Sequence, residues 1–180
     1  MNIQSLTAQS TFFQKEATLN ASSKQQKVGK AYLKFQLDQL TPAVLSMPHV
    51  QEAIVVPARR ITLMPNMPAC VLGLLHQRGQ VLWVINLPQM LDLQTLNLDV
   101  PHHNIIVVRV GNIPLGLVVQ EVKGVMRSPS NAIQSPVGVV APTLVPYLQG
   151  CILQPQEVLL VLDAEAIVHS PILRSNEPFR

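Results

Sequence analysis

The chain has 180 residues, of which 13% are charged and 48% apolar, and its mean hydropathy is +0.28. Leu, Val, Ile and Phe make up 63 of the 180 residues, which excludes a disordered chain, since disorder needs low hydrophobicity and high charge. No apolar run reaches the ~18 residues of a membrane-spanning helix, and residues 1–19 lack the basic-then-apolar order of a secretory signal.

In chain order, residues 1–30 come first. Lys15, Lys24, Lys27 and Lys30 stand there against Glu16 alone, so this segment accounts for the whole net charge of +3, and residues 31–180 balance nine basic against nine acidic residues. The segment reads as a flexible basic leader. Ala31 to Leu37 alternates Leu33, Phe35 and Leu37 with Tyr32, Lys34 and Gln36, the period of a strand. Ala43, Leu45 and Met47 repeat the pattern after a turn at 39–42. His49 to Ile54 reads as a helical turn or irregular link, Ile61 to Met64 as a short strand, and Ala69 to Leu72 as one helical turn. Val71–Leu75 and Val81–Leu87 flank Gln77-Arg78-Gly79-Gln80 and predict a hairpin. Both runs are apolar at nearly every position, which predicts central strands buried on both faces. Pro88 opens a short helix to about Leu93. The polar stretch Gln94–Pro101 is the expected boundary between two lobes.

Ile105–Val110 and Ile113–Val119 predict a second hairpin around Gly111-Asn112, and Val122–Met126 continues as a strand. Arg127–Pro146 holds four prolines and reads as a long connection without regular structure. Gly150–Leu153 and Val158–Leu162 predict a third hairpin. Asp163 is a good N-cap for a helix from about Ala164 to His169, stopped by Pro171. No tandem repeat of 20–50 residues stands out, although the two halves are similar in kind. Many short strands with few helices predict an all-β fold of small barrels. The expected organisation is a leader at 1–30, lobe one at about 31–97, lobe two at about 98–162, a helix at 163–169 and a polar tail at 171–180.

Signatures of chemistry are scarce. There is no G-x-S-x-G, no phosphate-binding glycine loop and no H-E-x-x-H. Cys70 and Cys151 are isolated and read as small buried hydrophobes in a reducing, cytoplasmic setting. His102 and His103 are adjacent, so on a strand they face opposite ways and do not chelate one ion. His49 and Glu52 would neighbour each other on a helix, but no third ligand is evident. No catalytic residue, cofactor or metal is expected. A β-barrel that binds nucleic acid is the alternative, but it requires stacking aromatics beside a basic groove. Here the aromatics are isolated and Arg59-Arg60 is the only basic pair in a neutral body, so nucleic acid is not an expected partner.

Gly73-Leu74-Leu75-His76-Gln77-Arg78-Gly79-Gln80-Val81-Leu82-Trp83-Val84-Ile85-Asn86-Leu87 resembles the signature of the CheW-like chemotaxis adaptors, an apolar-Gly strand, Asn-Leu-Arg-Gly, and an apolar strand ending Asp-Leu. Four further segments agree in order. Phe35-Gln36-Leu37 is similar to the family's first strand. Leu45 to Glu52 is similar to its second strand and Val-x-Glu segment. Leu115-Gly116-Leu117-Val118-Val119 is similar to a strand of the second lobe. Tyr147-Leu148-Gln149-Gly150 with Val158–Asp163 is similar to the end of the domain. The likeness covers about residues 31–170.

The resemblance implies two five-stranded SH3-like β-barrels sharing a hydrophobic interface, and an adaptor without catalysis. It implies as partners the regulatory domain of a CheA-type histidine kinase and the cytoplasmic tip of a methyl-accepting chemoreceptor, with the membrane reached only through receptors. It carries a receptor-side contact onto Arg78, with Gly73, Gly79 and Gly116 as further candidates, and a kinase contact onto Val50 and Glu52. Some positions depart from the family pattern. His76-Gln77 stands for Asn-Leu, Trp83 for Pro and Asn86 for Asp, and Gln120-Glu121 replaces Asp-Gly. These departures leave flagellar and pilus-type pathways both open.

Overall fold

The computed structural model describes residues 29–94 and 96–174; most of the basic leader and the end of the polar tail lie outside them. Twelve strands are present: β1 (Lys30–Gln36), β2 (Pro42–Ser46), β3 (Val50–Pro57), β4 (Ile61–Thr62), β5 (Val71–Gln77), β6 (Gln80–Asn86), β7 (His102–Val110), β8 (Ile113–Val119), β9 (Glu121–Ser128), β10 (Ile133–Gln134), β11 (Leu148–Leu153) and β12 (Val158–Leu162). Among the described residues, three short helices follow strands or one another: α1 (Leu87–Met90), α2 (Ala164–Val168) and α3 (Pro171–Arg174).

The strands form two six-stranded sheets, ordered β10-β11-β12-β2-β1-β9 and β3-β7-β8-β6-β5-β4. In each sheet the two outermost strands are consecutive in the chain and joined by a single 3-10 turn. Ala58–Arg60 links β3 to β4, and Ser130–Ala132 links β9 to β10. That turn brings each curled sheet's edges together, which is the SH3-like barrel expected. Each barrel has five longer strands and one of two residues.

The division into lobes differs from the one at 97/98. Residues 50–119 supply the whole second sheet, and they are inserted between β2 and β9 of the first. The reason is pairing order. β2 does not meet the next strand, β3, but pairs in parallel with β12, Leu45 opposite Leu162. β8 pairs in parallel with β6, Ile85 opposite Leu117.

The two sheets are also copies of one plan. A hairpin, a long edge strand, a 3-10 turn, a two-residue strand, a second hairpin and a capped helix occur twice in the same order. β7 begins 72 residues after β1 (His102 against Lys30), and β11 begins 77 after β5 (Leu148 against Val71). The first hairpin of each copy, however, completes the other copy's barrel. One local constraint recurs as well. Gly73 and Gly150 sit at register shifts of β5 and β11 with φ +146° and +157°. A Cβ on Gly73 would lie 2.1 Å from the Thr62 carbonyl oxygen, and one on Gly150 would lie 2.5 Å from that of Gln134.

The core explains the composition. On β7, Ile106 and Val108 belong to one buried cluster and Ile105 and Val107 to another. β2 and β12 divide in the same way, with Ala43, Leu45, Leu160 and Leu162 on one side and Val44, Leu159 and Val161 on the other. The shared cluster lies between the lobes. It joins Phe35 and Leu45 of the first sheet, with Leu37 just past β1, to Ile85 and Leu117 of the second and Leu87 of α1, closed by Ile167 of α2. It holds 21 buried residues against nine and five within the barrels, so the interface is the main core.

Several local expectations change. His49–Ile54 is not helical. Val50 to Pro57 is an edge strand paired with β7, because β7 offers an open side. Residues 69–72 turn directly into β5. Arg127–Pro146 is more ordered than its prolines suggest, since β9 runs to Ser128 and β10 pairs with β11. β6 is not buried on both faces, as Val81 is 58% and Trp83 38% exposed. Pro171 does not end the helical region but opens α3. Asp163 does cap α2, its carboxylate accepting from the Glu165 and Ala166 amides at 2.9 and 3.1 Å, and Cys70 and Cys151 are buried free thiols.

The bulge glycines give a direct test. Gly73→Ala should cost about 2–4 kcal/mol in urea unfolding, since the methyl meets fixed backbone in a strained conformation. Gly124→Ala, where φ is +127° but nothing lies within 4 Å, should cost only about 1 kcal/mol.

Candidate functional site

The Arg78-Gly79 pair is a two-residue loop, with Gln77 paired opposite Gln80. Arg78 has φ +49° and Gly79 +75°. Both are left-handed, the requirement of a type I′ turn, whose twist matches the flanking strands. Glycine accepts this freely, whereas an arginine there costs roughly 1–2 kcal/mol. The strand pairing imposes that conformation and projects a side chain that stays 78% exposed.

Beneath the tip runs β3. Glu52 Oε2 lies 2.9 Å from Arg78 Nη2. The contact is an ion pair rather than an aligned hydrogen bond, and Oε2, shielded from solvent, has no hydrogen-bond donor. Gln77 Nε2 donates to Glu52 Oε1 at 3.4 Å. An ion pair this exposed on one side contributes only about 0–1 kcal/mol, so its interest is positional. It joins the residue carrying the receptor-side resemblance to one carrying the kinase-side resemblance.

Two more arginines brace the tip. Arg60 Nη2 donates to the His76 carbonyl at 2.9 Å and to Gln77 Oε1 at 3.3 Å. Arg109, near the end of β7, donates through Nη2 to Gln80 Oε1 at 2.8 Å. With the Gln51 amide turned so that its oxygen faces this guanidinium, Gln51 also accepts from Arg109 Nε at 2.7 Å. Gln51, Glu52, Gln77, Arg78 and Gln80 line a cavity of about 230 Å³. A larger apolar groove of about 410 Å³ adjoins it across Pro114, walled by Trp83, Ile113, Leu115, Val168 and Leu173 among others.

The other candidates fall elsewhere. Gly79 is at the tip. Gly73 and Gly116 are buried, Gly73 under the Thr62 carbonyl and Gly116 against Leu82, Ile105 and Val84. The close approach at these two positions comes from the chain itself. Val50 is half-buried and packs against the interlobe core, so of the two kinase-side candidates only Glu52 lines the cavity, next to Gln51. His49 ends a 3-10 turn before β3 begins, so it does not share a helix face with Glu52. Among the described residues no three His, Cys, Asp or Glu side chains are grouped to hold a metal ion, and no helix is long and apolar enough to cross a membrane. The sequence reading missed Gln51, Gln80 and Arg109 because three separate strands bring them together, and it missed the groove because β6 looked buried on both faces.

The family model for the CheW-like domain matches residues 31–171. The chain belongs to the CheW-like family. The fold is also similar to that of a solved structure, the scaffolding protein TtCheW from Thermoanaerobacter tengcongensis. The TM-score is 0.66 at 21% identity, over 76% of this chain and 90% of that one. No curated protein matches the chain. In this CheW-like domain the two barrels match the family fold, while Trp83 gives the groove an aromatic wall.

His102 is exposed and His103 buried, as adjacent strand residues should be. Burial holds the His103 imidazole below its ordinary 6.5 by disfavouring the charged form. The unfolded chain therefore takes up that proton more readily. The stability linked to neutral His103 is fully present above 6.5 and is lost as pH falls through the folded-state value. The midpoint of thermal unfolding should drop as pH falls below 6.5, and His103→Gln should make that drop shallower.

Proposed function

We propose that this chain is a non-catalytic adaptor coupling methyl-accepting chemoreceptors to a CheA-type histidine kinase in chemotaxis or pilus-type motility signalling, acting in the cytoplasm. The observation that carries the reading is the Arg78–Glu52 contact at 2.9 Å. The family resemblance gives Arg78 to the receptor's cytoplasmic tip and Glu52, with Val50 beside it, to the kinase's regulatory domain. The fold sets the two charged side chains against each other on one end of one barrel. A guanidinium on a rigid hairpin tip suits forked hydrogen bonding to a partner's carboxylate or carbonyls, and partner contacts of this kind concentrate on a few such residues. Gly79 serves the site by allowing the turn. The neutral body, with no aromatic among the residues lining the tip's cavity, favours this reading over nucleic-acid binding.

Pull-downs from native cytoplasm with residues 29–174 as bait should recover a CheA-like kinase and a chemoreceptor. Arg78→Glu should reduce receptor recovery at least tenfold while kinase recovery changes less. Unchanged recovery of both partners by that variant would remove Arg78 from the interface.

A further inference from the structure

The last described element belongs to neither copy of the repeated plan. Each copy closes with one capped helix, α1 behind Asn86 and α2 behind Asp163. α3 (Pro171–Arg174) is additional, and among the described residues no counterpart of it follows α1. One helical turn has no stability of its own, because nucleation costs more than its few hydrogen bonds return. Tertiary contacts therefore set its place. Leu173 is half-buried and packs against the interlobe core. Ser170, buried between α2 and α3, holds the joint. Its hydroxyl shares a hydrogen bond with that of Tyr147 at 3.0 Å. Its carbonyl accepts from the Leu173 amide at 3.1 Å, and its hydroxyl oxygen from the Ile172 amide at 3.3 Å.

What α3 lies against gives it a consequence. Ile85 and Leu115, both members of the interlobe core, line the apolar groove of about 410 Å³ beside Trp83. Leu173 lines the same groove and packs on the same core, so the chain itself takes up part of that apolar surface. We propose that α3 is a strap, hinged at Ser170 and latched by the Tyr147 hydroxyl, that restrains the groove through Leu173 and swings clear when an apolar segment of a partner enters. The inference rests on the adaptor reading and concerns how access to the partner face is regulated from within the chain. A latch of one apolar anchor and one hydroxyl bond belongs to the low-stability end of a fold, from which lids are drawn. A groove ligand then binds with its intrinsic affinity reduced by the fraction of molecules whose strap is open. Loosening the latch raises that affinity without altering the groove, which distinguishes a strap from a fixed wall. Tyr147 permits this distinction, since it does not line the groove.

The test uses the full chain, with Trp83, its single tryptophan, as a reporter inside the groove. Tyr147→Phe keeps the ring and removes the latch hydroxyl, and Leu173→Ala removes the anchor. Three quantities are measured: acrylamide quenching of Trp83, amide hydrogen exchange by NMR, and affinity for an amphipathic helical peptide with Leu anchors. In the parent chain the Leu173 amide should exchange about 100-fold faster than the amides of β7. Tyr147→Phe should speed that exchange, increase quenching and tighten peptide binding about threefold, with little change in thermal midpoint. Leu173→Ala should act in the same direction, and where the two variants disagree Tyr147→Phe decides. Weaker peptide binding by Tyr147→Phe would overturn the strap and make α3 a wall that the ligand touches. Quenching and affinity unmoved by that variant, or a Leu173 amide that exchanges together with β7, would also overturn it. The pull-down separates the two readings. If peptide affinity rises in Tyr147→Phe while neither it nor Arg78→Glu alters receptor recovery, the strap stands and the receptor-side reading fails. If Arg78→Glu loses the receptor while Tyr147→Phe changes neither peptide affinity nor receptor recovery, the adaptor reading stands and the strap fails.

Discussion

The apolar face shared by the two barrels is the constraint on which the rest depends. Neither barrel encloses a large interior, since the clusters within them are small beside the one that joins them. A small barrel buries too little surface to be secure alone. Placing Phe35, Leu45, Ile106, Leu117 and Leu162 back to back makes a single core from two thin ones. It also dictates the chain's composition. Strands buried toward both their own barrel and the neighbour have no face left for charge, so Ile105–Val108 and Leu159–Leu162 read as unbroken aliphatic runs.

Charge is left to the rims, and there it is arranged rather than scattered. The body is neutral as a whole, yet Arg60, Arg78 and Arg109 converge on one hairpin tip where Glu52 is the single acid among the cavity's lining. Two of the three arginines are held by carbonyl and amide oxygens, which orient a guanidinium without cancelling its charge. The tip is thus polar, locally positive and rigid, beside a groove that is apolar. Such a contrast of charge and apolar surface suits the recognition that the proposed adaptor role requires.

Much of the architecture was legible because it is local. Alternation in Leu33–Leu37, the Arg78-Gly79 turn, the Asp163 cap and the Gly111-Asn112 hairpin each state their geometry within a few residues. What was not legible is long-range. Val50 to Pro57 has a weak strand pattern and becomes one only because β7 has an open side. The nested order of the lobes depends on β2 meeting β12 rather than β3, a choice that no local signal announces. The repeat was hidden because its halves share turns and bulge glycines rather than side chains. At the site, Arg78 and Glu52 were visible through the family resemblance, but Gln51, Gln80 and Arg109 become neighbours only when β3, β6 and β7 are assembled. That Gly73 and Gly116 are approached by the chain's own atoms was not legible, because a glycine in an apolar strand signals close approach without saying by what.

The exchanged hairpins bear on how the molecule is made. During synthesis from the N-terminus, residues 50–119 can close their barrel as soon as β8 emerges. β1 and β2, though made first, cannot complete theirs until β12 follows, more than a hundred residues later. In the interval Phe35, Leu37 and Leu45 have one surface available to them, the face of the finished second barrel that will become the interlobe core. The early hairpin would thereby have a template on which to wait, the same apolar face that joins the lobes of the finished protein.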